Sequence, residues 1–483
     1  MNQTTGPQQS KLPTRDFSRA PTLGEAAAAM NGVLRGDPVA TYSRVCTDSR
    51  ASAPGDLFFC LRGPSFDAHD FVEAVAKSGA VAVVCERGRG GDGPCIEVDD
   101  TQVALGDLAH WVRSGHRGDL VGITGSNGKT TTKEMLRAVF LAHCGQSHVL
   151  ATKGNLNNLI GVPLTLFGLG AEHQAAVIEM GMNAPGEIAR LVEIAAPRVG
   201  VITCVAEAHL EGLGSIEGVA RAKGELFEGL PADAIAVVNV DDPHVLREAK
   251  RFAGRQLTFG STGVVRAEAI RCDRIDASSF DVTFGGERAS VELPLGGRHN
   301  VQNALAAAAA ALASGVTLAT VARGLSAMTP PPMRMAVENL PGGVTLVNDA
   351  YNANPGSLGA ALATLGGLDV RRIVVVGDML ELGPTSAELH HRAGAQAADI
   401  KPTLLCAYGG FAQNVAAGAR EAGMPADRVH VCARHEDAAA QVAGVWLPGD
   451  AILVKGSRGS AMEKVVDALR ALAGDAATAA RNR

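Results

Sequence analysis

An apolar run, Leu120-Val121-Gly122, leads into Ile123-Thr124-Gly125-Ser126-Asn127-Gly128-Lys129-Thr130-Thr131, and helical periodicity resumes over Lys133–Leu141. A strand that turns through glycine directly into a helix belongs in a sheet with helices laid against it, which confines the chain to α/β architectures. Glycines let backbone N–H groups curl around phosphate oxygens, and the helix N-terminus adds its partial positive charge. Lys129 would reach the β- and γ-phosphates, and the Thr130 hydroxyl would ligate Mg²⁺. Ile123 stands where the first glycine of the general pattern is expected. The stretch implies ATP binding; the competing reading is a tight turn without a ligand.

The 483 residues exceed one ordinary domain and suggest about three. With 46% hydrophobic and 19% charged residues, large cores are expected and global disorder is excluded. A net charge of −6 without a basic stripe argues against a nucleic-acid partner. Nine cysteines at 46, 60, 85, 95, 144, 204, 272, 406 and 432 form no CxxC pair, so they read as reduced thiols in a cytoplasmic protein. The polar start lacks the apolar core of a signal peptide, and Ala304–Ala313 is too short to span a bilayer, so no membrane insertion is expected.

Residues 1–20 read as a disordered tail. Residues 21–117 form a small α/β block, with strands at Leu57–Leu61 and Ala80–Cys85 and helices at Leu23–Leu34, Phe71–Ser78 and Gln102–Arg113. In residues 118–328, continuous apolar strands at Leu120–Thr124, Ala175–Met180, Val199–Val205 and Ile235–Val240 alternate with helices, which implies a parallel sheet covered on both faces. An alternating stretch to Leu295 and an Ala-rich helix from Asn300 close this block. Thr329-Pro330-Pro331-Pro332 marks a stiff linker into a third α/β block, 329–483, with strands at Val344–Val347, Arg372–Val376, Thr403–Ala407 and Ala451–Val454. The segment from Asp475 to Arg483 reads as a frayed end.

Polar residues gather where these strands end. Glu179 closes an apolar strand, the position of a metal-proximal acid or of an ordinary surface carboxylate. The amide-rich loop Thr152–Asn158 could ligand a sugar or phosphate, or form a structural turn. His209 follows a strand end and reads as a structural histidine ahead of a ligand, while Lys223 in a helical segment reads as a solvated charge. Asn300 and Asn303 straddle a helix start, where Asn300 could be the N-cap or the two amides could read a base edge. The Asp349–Pro355 loop suggests substrate recognition, although turn propensity also accounts for it.

Taken together, the chain resembles the Mur ligase family from about Leu23 to about Leu472. The likeness rests on Thr47–Arg50, Thr124–Thr131, Gly154–Asn158, Glu179–Gly181, Ala208–Glu211, Lys223–Glu225, His299–Asn303, Asp349–Pro355 and Gly377–Gly383. The resemblance implies three domains: an N-terminal one for the uridine diphosphate end, a central P-loop domain for ATP, and a Rossmann-like third for the amino component. It implies an ATP-dependent amide ligase that joins D-alanyl-D-alanine to a UDP-N-acetylmuramoyl-tripeptide through an acyl phosphate, with a monomer expected. It assigns Thr47, Asp48, Ser49, Arg50, Asn155, Asn157 and Asn158 to the UDP-linked substrate. Gly125, Ser126, Asn127, Gly128, Lys129, Thr130, Thr131, Asn300, Asn303 and Arg334 fall to ATP. Thr130, Glu179, His209 and a carbamylated Lys223 fall to Mg²⁺, and Asp349, Tyr351, Asn352 and Asn354 to the dipeptide. Lys129, Lys223, His209 and Glu179 would carry catalysis. Cys204, Leu159 and Ala68 depart from common family residues. Rival readings are a relative that adds a diamino acid, folylpolyglutamate synthase, or an ATP-binding regulator without activity.

Overall fold

The computed structural model describes residues 14–481, with side chains to residue 475. The expected disordered tail lies for the most part outside the described residues. Two compact units emerge. The first takes in the chain up to Leu120 together with Ser147–Met180 and Ala189–Pro197, and the second Val121–Gln146, Gly181–Ile188 and everything from Arg198.

The first unit is built on a five-stranded sheet in the order Val33–Arg35, Cys95–Val98, Ala82–Glu86, Asp56–Phe59, Arg44–Cys46. The outermost pair is antiparallel and the rest are parallel. The helix expected over Leu23–Leu34 is shorter: it begins with a Thr22–Glu25 capping box and stops at Ala29. Asn31 then turns left-handed at φ 52°, and Val33–Arg35 becomes the edge strand instead. The Asn-Gly dipeptide breaks the helix because asparagine tolerates that conformation and glycine adds freedom. Val149–Ala151 runs parallel to Ala175–Glu179 in the same unit.

In the second unit the strand that enters the glycine turn lies parallel to Val199–Ile202, which pairs with Ile235–Asn239 and then Arg255–Phe259. A three-stranded antiparallel sheet follows, Arg266–Arg271, Ser278–Phe284 and Glu287–Leu293, its second hairpin closing through Gly285 and Gly286 at positive φ. The Ala-rich helix is Arg298–Ala313, and Ala304 through Ala311 are all buried. Alanine at every turn lets this helix sit close to its neighbours on all sides, among them the helix Lys129–Cys144. Gly324 permits a further close approach, since a methyl group there would lie 2.4 Å from Val139 Cα.

The last sheet runs Ala336–Leu340, Val344–Asp349, Ala451–Lys455, Arg372–Val376, Leu404–Tyr408, Val429–Cys432, antiparallel at the first pair and parallel beyond. Parallel strands bring their carboxyl ends to one edge, where crossover loops carry the polar side chains. The end expected to fray from Asp475 is helical as far as Arg481, within the helix Glu463–Arg481, whose Val465, Val466, Leu469 and Ala473 bury an apolar stripe against the sheet. No helix among the described residues is long and apolar enough to cross a membrane, and the nine cysteines are unbridged.

Because Ala308 is fully buried, Ala308→Leu should overpack the helix and lower stability by about 1–3 kcal/mol. Denaturant unfolding checks this; an unchanged midpoint would mean the helix is not tightly enclosed.

Candidate active site

The glycine turn is locked in place by what surrounds it. Gly125 has φ 149° and Gly128 has φ 82°. A Cβ on Gly125 would lie 1.9 Å from Thr203 Oγ1, and one on Gly128 would lie 2.1 Å from Asn303 Oδ1. Both positions therefore need glycine for conformation and for space. The helix Lys129–Cys144 starts directly after Gly128 with no side chain capping it, which leaves its first N–H groups facing the turn. Lys129 Nζ donates to Gly125 O at 2.7 Å, arching over the loop. Ser126 Oγ donates to Ala206 O at 3.0 Å and accepts from Ala206 N at 2.9 Å, tying the turn to the segment after the neighbouring strand.

This turn forms one wall of a cavity of about 430 Å³ lying wholly within the second unit. Asn239, which ends the strand Ile235–Asn239, and Asp241 just beyond it line it, with Asn300, Gln302 and Asn303 from the Ala-rich helix. From the last sheet come Arg334, Asp349, Tyr351, Asn352, Asn354 and Lys455. Asn354 caps the helix Pro355–Gly366, accepting from Ser357 N, and its Nδ2 donates to Asn127 Oδ1 at 2.8 Å. That bond joins the dipeptide-loop candidate to the phosphate-turn candidate.

Several sequence readings change here. Asn300 is not the N-cap: the helix begins at Arg298 behind Gly297, and Asn300 is buried in the first turn. Its Nδ2 donates to Gly296 O at 2.8 Å and its Oδ1 accepts from Asn303 Nδ2 at 3.2 Å, so the two amides do share one face. Lys223 is not a solvated charge but is 1% exposed within the helix Ile216–Glu228. Desolvation, then the nearby positive charge of Lys129, hold its ammonium well below the usual lysine range. His209 sits at φ 55° with Nδ1 2.6 Å from Glu381 Oε2, and Glu381 is itself left-handed at φ 64°. Neither His209 nor Lys223 lines the cavity.

The remaining candidates lie in the first unit. Asp48 accepts from Arg50 N and pairs with the Arg50 guanidinium at 2.8 Å, which holds the carboxyl down to about 2. Thr47 precedes that turn and Ser49 starts it. Asn158 Oδ1 accepts from Ile160 N and Gly161 N, the structural-turn alternative, while Asn155 is exposed. Asn157 Nδ2 donates to Glu179 Oε1 at 2.9 Å, and Glu179 N donates to Thr152 Oγ1 at 3.0 Å. Glu179 is 2% exposed, and its Oε2 has no hydrogen-bond partner. A buried carboxylate oxygen left open is the donor type that a hard cation takes. Among the described residues no three His, Cys, Asp or Glu side chains converge as a metal cage.

Asp241, Gln302 and Lys455 were not singled out from the sequence. A signal was available, because Asp241 and Lys455 stand at the carboxyl ends of apolar strands, and Lys455 lies one residue past the Val454 boundary read from the sequence.

A glycine turn opening a helix at the edge of a parallel sheet, beside a polar cavity, defines the class of nucleoside-triphosphate-binding α/β proteins. Comparison narrows the class. Residues 41–112 match the Mur ligase family catalytic domain, 123–311 the Mur ligase middle domain, and 333–458 the Mur ligase glutamate ligase domain. The chain is 40% identical over 454 residues to the UDP-N-acetylmuramoyl-tripeptide–D-alanyl-D-alanine ligase of Escherichia coli (strain K12), covering 93% of this chain and 98% of that one. It is 36% identical to the ligase of the same name from Bacillus subtilis (strain 168), covering 87% and 92%. Among solved structures, MurF from Acinetobacter baumannii superposes with a TM-score of 0.87 at 33% identity, covering 94% of this chain and 99% of that one. MurF ligase from Thermotoga maritima in complex with ADP gives 0.80 at 27% identity, covering 89% and 98%. The chain belongs to the Mur ligase family.

His299, half-buried at the cavity wall, is held down to about 4, by desolvation first, with the neighbouring Lys455 charge adding to it against Asp349. Its folded value lies below the ordinary 6.5, so the unfolded chain binds the extra proton and stability falls as pH drops from about 6.5 to 4. His299→Asn should flatten that part of a melting-temperature profile, by the equivalent of about 1–3 kcal/mol; an unchanged slope would remove His299 as its source.

Proposed function

We propose that this protein joins D-alanyl-D-alanine to the peptide of a UDP-N-acetylmuramoyl-tripeptide at the expense of ATP, forming a cytoplasmic cell-wall precursor. The observation that carries this reading is that the Gly125–Thr131 turn and the Arg334 and Tyr351–Asn354 segments line one cavity. The names of the relatives point the same way.

In the first step a carboxylate oxygen of the tripeptide attacks the γ-phosphorus, the bond to the β-bridging oxygen breaks, and ADP leaves. The dipeptide amine then attacks the acyl carbon, and the tetrahedral state expels inorganic phosphate as the amine loses its proton. Backbone N–H groups of Asn127–Thr131 hold the phosphates, Ser126 N being taken by Cys204 O, while Lys129 and Arg334 offset the charge on the transferred group. Asn303 and Gln302 line the cavity from the Ala-rich helix and would meet the base. Tyr351 and Asn352 face the position of the incoming dipeptide, and cover from the last sheet keeps water from the acyl phosphate.

The donor types assigned to magnesium suit a hard cation: in the first unit the open Glu179 oxygen, in the second the Thr130 hydroxyl and a carbamylated Lys223. When bound it would neutralise triphosphate charge. Carbamylation needs a neutral amine to attack carbon dioxide, and burial of Lys223 favours that form. The product is an anion with carboxylate-like oxygens in place of a buried cation. In the first unit Thr47–Arg50, Asn155, Asn157 and Asn158 are read as the contacts of the UDP-linked substrate.

Purified protein should release phosphate from ATP only when both UDP-tripeptide and D-alanyl-D-alanine are present, and Lys129→Ala should lower the rate about 100-fold or more. Phosphate release that ignores the dipeptide would overturn the reading. Lys223→Ala should lose most activity and recover part of it with added short-chain carboxylic acids; full activity without them would eliminate the carbamate.

A further inference from the structure

Arg334 reaches the cavity from a stretch of backbone that does not hold itself. Met333 and Met335, on either side, are both left-handed, at φ 54° and 51°. Non-glycine residues adopt that conformation only where neighbours impose it. The Asp349–Asn354 loop supplies two such contacts: Tyr351 N donates to Met333 O at 3.2 Å, and Asp349 Oδ1 accepts from Met335 N at 3.1 Å. The Arg334 guanidinium then lies over the Tyr351 ring at 4.3 Å.

The loop is anchored by Lys455. Its Nζ donates to Asp349 Oδ2 at 2.6 Å and to Asn352 O at 2.9 Å, and the side chain is 3% exposed. Each Asp349 oxygen thus carries a hydrogen bond from the protein, one from Lys455 and one from the residue after Arg334. A lysine at the end of one strand is linked through a carboxylate on the adjacent strand to the backbone that aims an arginine.

We propose that Lys455 is a positioning residue that acts through Asp349 to set the Arg334 guanidinium, and that Asp349 is the relay in this chain of contacts rather than a ligand of the dipeptide. The assignment rests on the reading of Arg334 as the group that meets the transferred phosphoryl. An arginine misplaced by about 1 Å loses much of its effect on a developing charge while ground-state binding is little changed. The consequence belongs on kcat, not on the affinity for the amino component.

The test is steady-state kinetics on the full-length enzyme with both substrates and ATP. Lys455→Met should lower kcat about 10-fold and change KM for D-alanyl-D-alanine less than about 2-fold. Lys455→Arg, which can still meet Asp349, should recover part of the loss. In combination with Arg334→Ala, Lys455→Met should add no further loss, because both changes remove one interaction. Multiplying losses in the double variant, or a loss seen chiefly as a raised KM for the dipeptide, would overturn the proposal. If melting shows that Lys455→Met does not fold, Lys455→Met with Asp349→Asn leaves no unpaired buried carboxylate and is judged by the same criteria. Failure of the functional reading itself is distinguishable, since the unaltered enzyme would then release no dipeptide-dependent phosphate.

Discussion

Two missing side chains hold the second unit to its form. Without Cβ atoms, Gly125 lies against Thr203 and Gly128 against Asn303, so the turn touches a neighbouring strand's end and the Ala-rich helix at once. Any larger residue would push Thr203 or Asn303 away, and the helix start at Lys129 would move with them. The turn is therefore a contact surface as much as a loop, and the cavity wall inherits its position from that contact. Alanines along Arg298–Ala313 serve the same end, since short side chains bring the asparagine-bearing first turn up to the phosphate turn.

Burial sorts the cations around this region into different chemical roles. Lys455 is enclosed but meets a carboxylate and a carbonyl, so its charge is compensated where it stands. Lys223 is enclosed near another positive charge, and its ammonium form is disfavoured. One is suited to holding a backbone in place, the other to reacting as a neutral amine. His299 is likewise held neutral at the wall. Residue type alone does not separate these outcomes; the partners each group meets on folding do.

Long apolar strands were legible because a strand covered on both faces must be apolar throughout, as in Ala175–Glu179 and Arg372–Val376. Three-residue strands such as Arg44–Cys46 and Val149–Ala151 were not, since so few residues carry no period and pair only because a neighbour is present. Val33–Arg35 was hidden behind the apolar pattern of the helix before it. Among the candidate residues, the phosphate turn and the Asp349–Asn354 loop of the second unit, and Glu179 of the first, were legible as polar groups at strand ends. The commitment of Asn354 to Asn127 was not, because the two stand far apart in the chain, whereas Asn300 and Asn158 meet partners within four residues of themselves.

Local order and chemistry were thus decided along the chain: which long apolar segments are strands, where glycine must turn, and which functional groups stand at the ends of those strands. Tertiary structure alone decided which of those groups are already occupied by the protein, which are desolvated, and which face one cavity. The reason is that pairing and burial arise between residues far apart in sequence, such as Asp349 and Lys455, and no local pattern encodes the distance between them once folded.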